Sequence, residues 1–347
     1  MHVTENAPLA PLTTLRLGGP ARRLVTARTD QEVIAAVQAA DAVGEPLLVI
    51  GGGSNLVIGD QGFDGTVLRI ATTGHTLDGT VLELAAGEVW ADAVATVVLE
   101  HGLAGIEFLA GIPGSAGATP VQNVGAYGQE VAQTITEVVA YDRRAGELVT
   151  LANADCGFSY RHSRFKAEPD RWVVLRVRFA LEDNEGLSTP IRYAEVARHY
   201  GVEQGERVEV AAAWSAVLEL RAGKGMVLDE TDHDTWSAGS FFTNPVLTPD
   251  QYRAFLHRLD GRQAPAYPAP DGSTKTSAAW LIDQAGFEKG YGSGPATLST
   301  KHTLALTNRG RATTADLLAL AREIRAGVHA AFGVELVNEP VLVGVEL

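Results

Sequence analysis

Between residues 29 and 44 the apolar positions Val33, Ile34, Val37 and Ala40 fall on one helical stripe. Thr29-Asp-Gln-Glu32 ahead of them reads as a capping box, and Gly44 stands at the stop, so the pattern predicts a helix between these limits. Pro46-Leu-Leu-Val-Ile50 is a continuous apolar run, as in a buried strand, and leads into the turn Gly51-Gly52-Gly53-Ser54-Asn55. Helix, strand and glycine turn make a small α/β unit. From Gly65 to Leu181 the period changes. Runs at Val81–Ala85, Thr136–Tyr141 and Trp172–Ala180 alternate with turn signals such as Arg144-Ala-Gly146 and predict a largely antiparallel sheet. One helix, about Trp90 to Glu100 and stopped by Gly102, interrupts it.

Beyond Leu181 a polar linker, Glu182–Gly186, precedes a helix-rich stretch from Val208 to Leu220. Asp229 to Asp234 reads as a solvated acidic loop rather than a metal site, despite its Asp-His-Asp. Three helices are expected next. Thr248-Pro249 with Gln251 starts the first, Thr276 to Gln284 forms the second before Gly286, and Thr313 to Phe332 forms a long amphipathic third before Gly333. A final strand, Val334 to Glu346, returns the chain to a sheet. There are no internal repeats.

The 347 residues suffice for two or three domains, and 46% hydrophobic with 20% charged residues is a globular balance. A net charge of −14 argues against a nucleic-acid partner, which calls for a basic field. No apolar run is long enough to span a bilayer, and MHVTENAPLAPLTT lacks the basic and apolar regions of a secretion signal. The single cysteine, Cys156, has no partner for an intramolecular disulfide, so the expected location is a reducing cytoplasm.

Candidate chemistry begins in Gly105–Gly128, GIEFLAGIPGSAGATPVQNVGAYG. Glycines interleaved with Pro113 and Pro120 exclude a helix or an ordinary strand, and the polar side chains among them are suited to hydrogen bonding. Neither this run nor 51–55 matches the dinucleotide fingerprint or the phosphate loop with its lysine. Two such turns still offer consecutive backbone N–H groups, which make an anion-binding concavity without a cation.

A third feature, Phe158-Ser-Tyr-Arg161 with Ser163, Arg164, Phe165 and Lys166, completes a recognisable order. GGGSN, IPGSAGATPVQNVGAYG, FSYRHSRFK, AGSFFTNP at 238–245 and VELVNEPVLVG at 334–344 together resemble the UDP-N-acetylenolpyruvoylglucosamine reductase family. The resemblance runs from Thr13-Thr14 and Gly18-Gly19 to Gly344. It implies a mixed α/β and α+β fold: a two-domain FAD-binding module of the vanillyl-alcohol-oxidase (PCMH) type and a third, α/β substrate-binding domain. The implied division is 1–70 and 71–225 for the FAD module, with 334–347 packing back on it, and 226–333 for the substrate domain. Non-covalent FAD would be held by Gly51, Gly52, Gly53, Ser54 and Asn55, and by Ile112, Pro113, Gly114, Gly117, Ala118, Gln122, Asn123, Gly125, Ala126 and Tyr127.

The resemblance also assigns a catalytic trio. Ser240 on its own is a loop serine of the kind that caps or turns, with neither a nucleophile elbow nor a triad pattern around it. The family gives it another task, protonation of the substrate's C2 after hydride reaches C3. Arg161 reads either as one charge in an arginine-rich surface run or as a rigid fork for a carboxylate, and the family selects the second. Glu339 lies near Glu335 and Glu346, and only the match to the family's terminal motif singles it out. The resemblance places Tyr193, Lys224, Asn244, Tyr267, Lys289 and His302 around a UDP-sugar, with Tyr193 in a loop that closes over the diphosphate. NADPH would be the co-substrate, and no metal is implied. The expected partner is a small nucleotide sugar, with no nucleic acid and no membrane, and the chain a monomer or weak oligomer. Two other readings stay open: a different flavin oxidoreductase on the same module, and a non-catalytic nucleotide-sugar-binding protein.

Overall fold

Helix signals in the sequence mark real helix ends. In the computed structural model, which describes residues 1–347, Thr29 caps α1 (Asp30–Val43), and Gly44 closes it in the left-handed region at φ 64°. The capping box is only half made. Thr29 accepts from the Glu32 N–H, but the Glu32 carboxylate reaches back to the Arg28 N–H instead of Thr29. Contacts divide the chain into two units: residues 1–7, 21–53 and 64–227, and residues 8–20, 54–63 and 228–347.

In the first unit α1 accompanies a four-stranded sheet in the order His2–Pro8, Pro20–Ala27, Phe63–Ile70, Leu47–Ile50, whose last pair is parallel. A five-stranded sheet follows in the order Glu147–Ala152, Ile135–Asp142, Trp172–Ala180, Val81–Ala85, His75–Asp78, all antiparallel. The alternation in Trp172–Ala180 is visible as burial: Val173, Val177 and Phe179 lie in the core, with Arg176 and Arg178 exposed between them. Four more helices complete the unit: α2 (Trp90–His101), α3 (Arg164–Ala167), α4 (Ala194–Tyr200) and α5 (Val210–Gly223). Trp90 of α2 packs its ring 5.6 Å from that of Phe179, and one apolar cluster runs through both sheets. The stretch Glu182–Gly186 is not a linker between units. Glu182 pairs with Ala104 in both directions, and Gly186 accepts from the Val210 N–H within the same unit.

The second unit is built on α6 (Pro249–Arg258), α7 (Ala278–Gln284) and α8 (Thr314–Phe332). Thr248 and Thr313 each make a complete capping box, with Gln251 and Asp316 respectively. Asp60 explains why 54–63 belongs here: its carboxylate takes the first N–H groups of α8, from Thr314 at 2.7 Å and Ala315 at 3.0 Å. Thr14 and Leu15 are stitched in likewise, to the Ser237 carbonyl and the Asn308 amide.

Two further expectations are corrected. The terminal strand is only Val341–Val343, paired in parallel with Leu56–Ile58. Residues 337–339 instead make isolated pairing with 241–243, because Pro340 lacks the N–H that would continue a ladder. The acidic run is solvated at its start, where Asp229, Glu230 and Thr231 are exposed, but not at its end. Asp234 is 4% exposed and accepts from Thr300 and from Arg309 at 2.8 Å, a cation far away in sequence. No helix is long and apolar enough to cross a membrane.

Candidate active site

Two glycine turns face each other in the first unit. A Cβ on Gly52 would lie 2.7 Å from the Gly114 Cα, and one on Gly51 would run into the Ser115 hydroxyl. Backbone is thus packed on backbone, an approach only glycine permits. Gly117 presses on Ala86 in the same way. This two-loop cradle suits the diphosphate of a dinucleotide cofactor, whose oxygens take backbone N–H groups. Further along the loop two ordinary residues adopt the left-handed region, Asn123 and Tyr127, both at φ 49°. Asn123 is fixed there by three bonds: its amide donates to Glu130 and to the Ser159 carbonyl, and its oxygen accepts from the Ala132 N–H. Such backbone persists where the surroundings enforce it, commonly at a ligand site.

Ser159 to His162 is a tight turn closed by both of its backbone hydrogen bonds, with Tyr160 and Arg161 at its tip. Arg161 takes φ 54°, and its Nη2 donates to the Gly125 carbonyl at 2.8 Å, so the fork is tied to the glycine loop. Lys166 holds the Arg161 carbonyl at 3.1 Å, and Ser163 caps α3 while donating to Val121. The arginine-rich run is therefore no loose surface. It is a braced element that presents one guanidinium beside the loop.

A second group forms at the start of α4 and the end of α5. Tyr193 is the N-cap residue of α4, and its ring meets that of Tyr127 edge-on at 5.4 Å. Lys224, the C-cap residue of α5, sits 5.4 Å from the Tyr127 ring centre and pairs with Glu195 at 2.6 Å. Burial pushes the Tyr127 hydroxyl up to about 12, so it keeps its proton at neutral pH.

In the second unit Ser240 and Glu339 are drawn together by pairing. The Glu339 N–H donates to the Phe241 carbonyl at 2.9 Å, the Thr243 N–H donates to Val337, and Phe242 bridges Asn338. Phe241 and Phe242, each 1% exposed, root the segment in the core and leave half-buried Ser240 at its start. The Asn55 amide donates to the Glu339 carbonyl, and the Asn55 carbonyl accepts from Val341, so the end of the GGGSN turn is bound to the terminal motif. His302 sits in the turn before Leu304, whose carbonyl accepts from Phe241. Asn244 accepts from the first N–H of α7, Tyr267 stands opposite Lys275 on an exposed edge strand, and Lys289 is exposed.

Comparison with known proteins bears on these groups. A family model described as UDP-N-acetylenolpyruvoylglucosamine reductase, C-terminal domain, matches residues 230–343, and one described as FAD binding domain matches 21–152. A UDP-N-acetylenolpyruvoylglucosamine reductase of Streptomyces coelicolor is 73% identical across 99% of this chain and 91% of its own length. The chain belongs to the UDP-N-acetylenolpyruvoylglucosamine reductase family. A second reductase, from Streptomyces avermitilis, is 72% identical over 100% of this chain and 97% of its own. The crystal structure of the reductase from Thermus caldophilus is similar with TM-score 0.67 at 26% identity, covering 99% of this chain and 98% of that one.

Three residues of this reductase-family chain escape motif reading. Glu107 is wholly buried, and its carboxylate accepts from Gly105 N, Thr189 N, Thr189 Oγ1 and Gln129 Nε2. It pins the glycine loop to the residues that lead into Tyr193. Arg221 is half-buried within electrostatic reach of Tyr127, and desolvation of its guanidinium lowers its pKa. Glu195 pairs with Lys224. A glutamate between Ile106 and Phe108 was a legible hint of a buried carboxylate, whereas Arg221 and Glu195 show nothing until α4 and α5 are folded.

Proposed function

We propose that this chain reduces the enolpyruvyl ether of UDP-N-acetylglucosamine to the lactyl ether, giving UDP-N-acetylmuramate for peptidoglycan, with NADPH as the reductant. The full-length likeness to the reductases carries this reading. The close packing of Gly51 and Gly52 on the Gly114–Ser115 turn and the matched FAD-binding region support FAD as the resident cofactor. When bound there, FAD would supply the hydride chemistry at C3, with NADPH as the source of its electrons.

Arg161 holds the substrate carboxylate, where negative charge builds as the double bond is lost. A braced guanidinium is the group for that work, because it needs no reorganisation as the charge appears. Its bond to Gly125 and the left-handed backbone beneath it support the role. Ser240 gives its hydroxyl proton to C2. Glu339, bonded through its backbone beside Ser240, orients that hydroxyl or acts as a neutral acid. Tyr193 and Lys224 take the diphosphate, and Asn244, Tyr267, Lys289 and His302 lie along the rest of the UDP-sugar. The enzyme works in the cytoplasm as a monomer or weak oligomer, without nucleic acid. Its one cysteine, buried and free, suits a reducing compartment.

The test is stopped-flow kinetics on Ser240→Ala. NADPH should bleach its flavin at the wild-type rate, and reoxidation by the enolpyruvyl substrate should slow by roughly 10²–10⁴-fold. Normal reoxidation would remove Ser240 from the chemistry.

A further inference from the structure

The strongest unassigned group is the carboxylate of Glu195. It lies 2.6 Å from the Lys224 ammonium, and both side chains are about one-third exposed, at 29% and 32%. An ion pair so exposed adds little to stability, since Coulomb gain is offset by solvation and side-chain ordering. Its placement says more. Glu195 is in the first turn of α4, two residues after Tyr193, and Lys224 is the C-cap residue of α5. The same ammonium lies 5.4 Å from the centre of the Tyr127 ring, against which Tyr193 also packs. One cation thus joins the glycine-rich loop, the tyrosine segment and α5, and an acid on the tyrosine segment engages it.

We infer that Glu195 is a resident counter-ion that competes with the nucleotide diphosphate for Lys224, and so sets the affinity of this subsite. The inference rests on the reading that Lys224 and Tyr193 receive the diphosphate. A diphosphate and a carboxylate repel one another across a single ammonium, and the diphosphate carries the greater charge. Binding therefore draws Lys224 away from Glu195, and the same exchange releases the turn of α4 that follows Tyr193. Glu195 is in this sense a positioning residue, acting through Lys224 and not on the reacting atoms.

The experiment titrates UDP into the oxidised FAD holoenzyme of wild type, Glu195→Gln, Lys224→Met and the double variant. Binding is read by calorimetry, and folding by flavin content and melting. Glu195→Gln should bind UDP about 2–5-fold more tightly, the range that an exposed ion pair supports. The gain should shrink as salt rises and vanish in the Lys224→Met background. In turnover the variant should lower KM with kcat unchanged, as expected when binding to ground and transition states changes equally. Glu195→Ala, which adds no amide, should tighten UDP in the same direction. Unchanged or weaker UDP binding by Glu195→Gln, with Lys224→Met weakened, overturns the counter-ion role and leaves the diphosphate reading standing. Unaltered UDP affinity in Lys224→Met overturns the diphosphate reading itself, and this inference with it.

Discussion

Glu107 shows how much one buried side chain can organise. Four donors and no acceptor surround its carboxylate, so an acceptor-only group is the one that satisfies them. Glu107→Leu takes the acceptor from all four, leaving Gln129 Nε2 only its longer contact to Thr189 Oγ1, and each buried orphan costs about 1–3 kcal/mol. Urea unfolding should show a loss of at least about 2 kcal/mol, with looser flavin retention because the glycine loop shares the network. Full stability in that variant would mean that the donors find water or other partners. Single residues were unevenly legible at this scale. Arg161 and Ser240 stood out through motif order, while their bracing by Gly125 and by Phe241–Glu339 pairing appears only in the fold. Glu195 was silent because its partner lies 29 positions away on another helix.

Helix limits were well written at the element scale because caps are local chemistry. Thr248, Pro249 and Gln251 satisfy the first N–H groups of α6 within four residues, and Gly102 and Gly333 stop α2 and α8 in the left-handed region. The terminal strand was misjudged because an extended apolar run says nothing of its partner, and Pro340 breaks the ladder. The glycine turns yield a graded prediction. Gly52→Ala meets the Gly114 backbone, which has nowhere to go, whereas Gly51→Ala meets the Ser115 side chain, whose hydroxyl is free to turn and whose Cβ, at 3.1 Å, need give only slightly. Purified Gly52→Ala should carry well under half the wild-type flavin, read as the ratio of flavin to protein absorbance, and Gly51→Ala should retain more. Equal flavin content in the two would contradict the close packing of these turns.

Over the whole molecule the sequence showed two chemistries of sheet but not the exchange of segments, since 8–20 and 54–63 join 228–347 through contacts such as Asp60 with α8. Its charge is legible as acid sensitivity. Arg171 holds Asp142 down to about 2, with help from the Arg144 and Ala145 N–H groups, and Glu168 is lowered by the same arginine. Carboxylates lowered by folding add stability above their unfolded values near 4, and lose it as pH falls towards 2. Melting temperature should therefore hold steady down to about pH 5 and fall steeply between pH 4 and 2. Asp142→Asn should melt lower at pH 7 and show a smaller acid decline; an unchanged decline would assign the effect to other groups. The functional account stands or falls on one anaerobic titration of the wild-type holoenzyme. NADPH should bleach the flavin, and UDP-N-acetylglucosamine enolpyruvate should restore its absorbance stoichiometrically, with the lactyl ether as product. Flavin that stays bleached after the enolpyruvyl nucleotide is added would contradict the account.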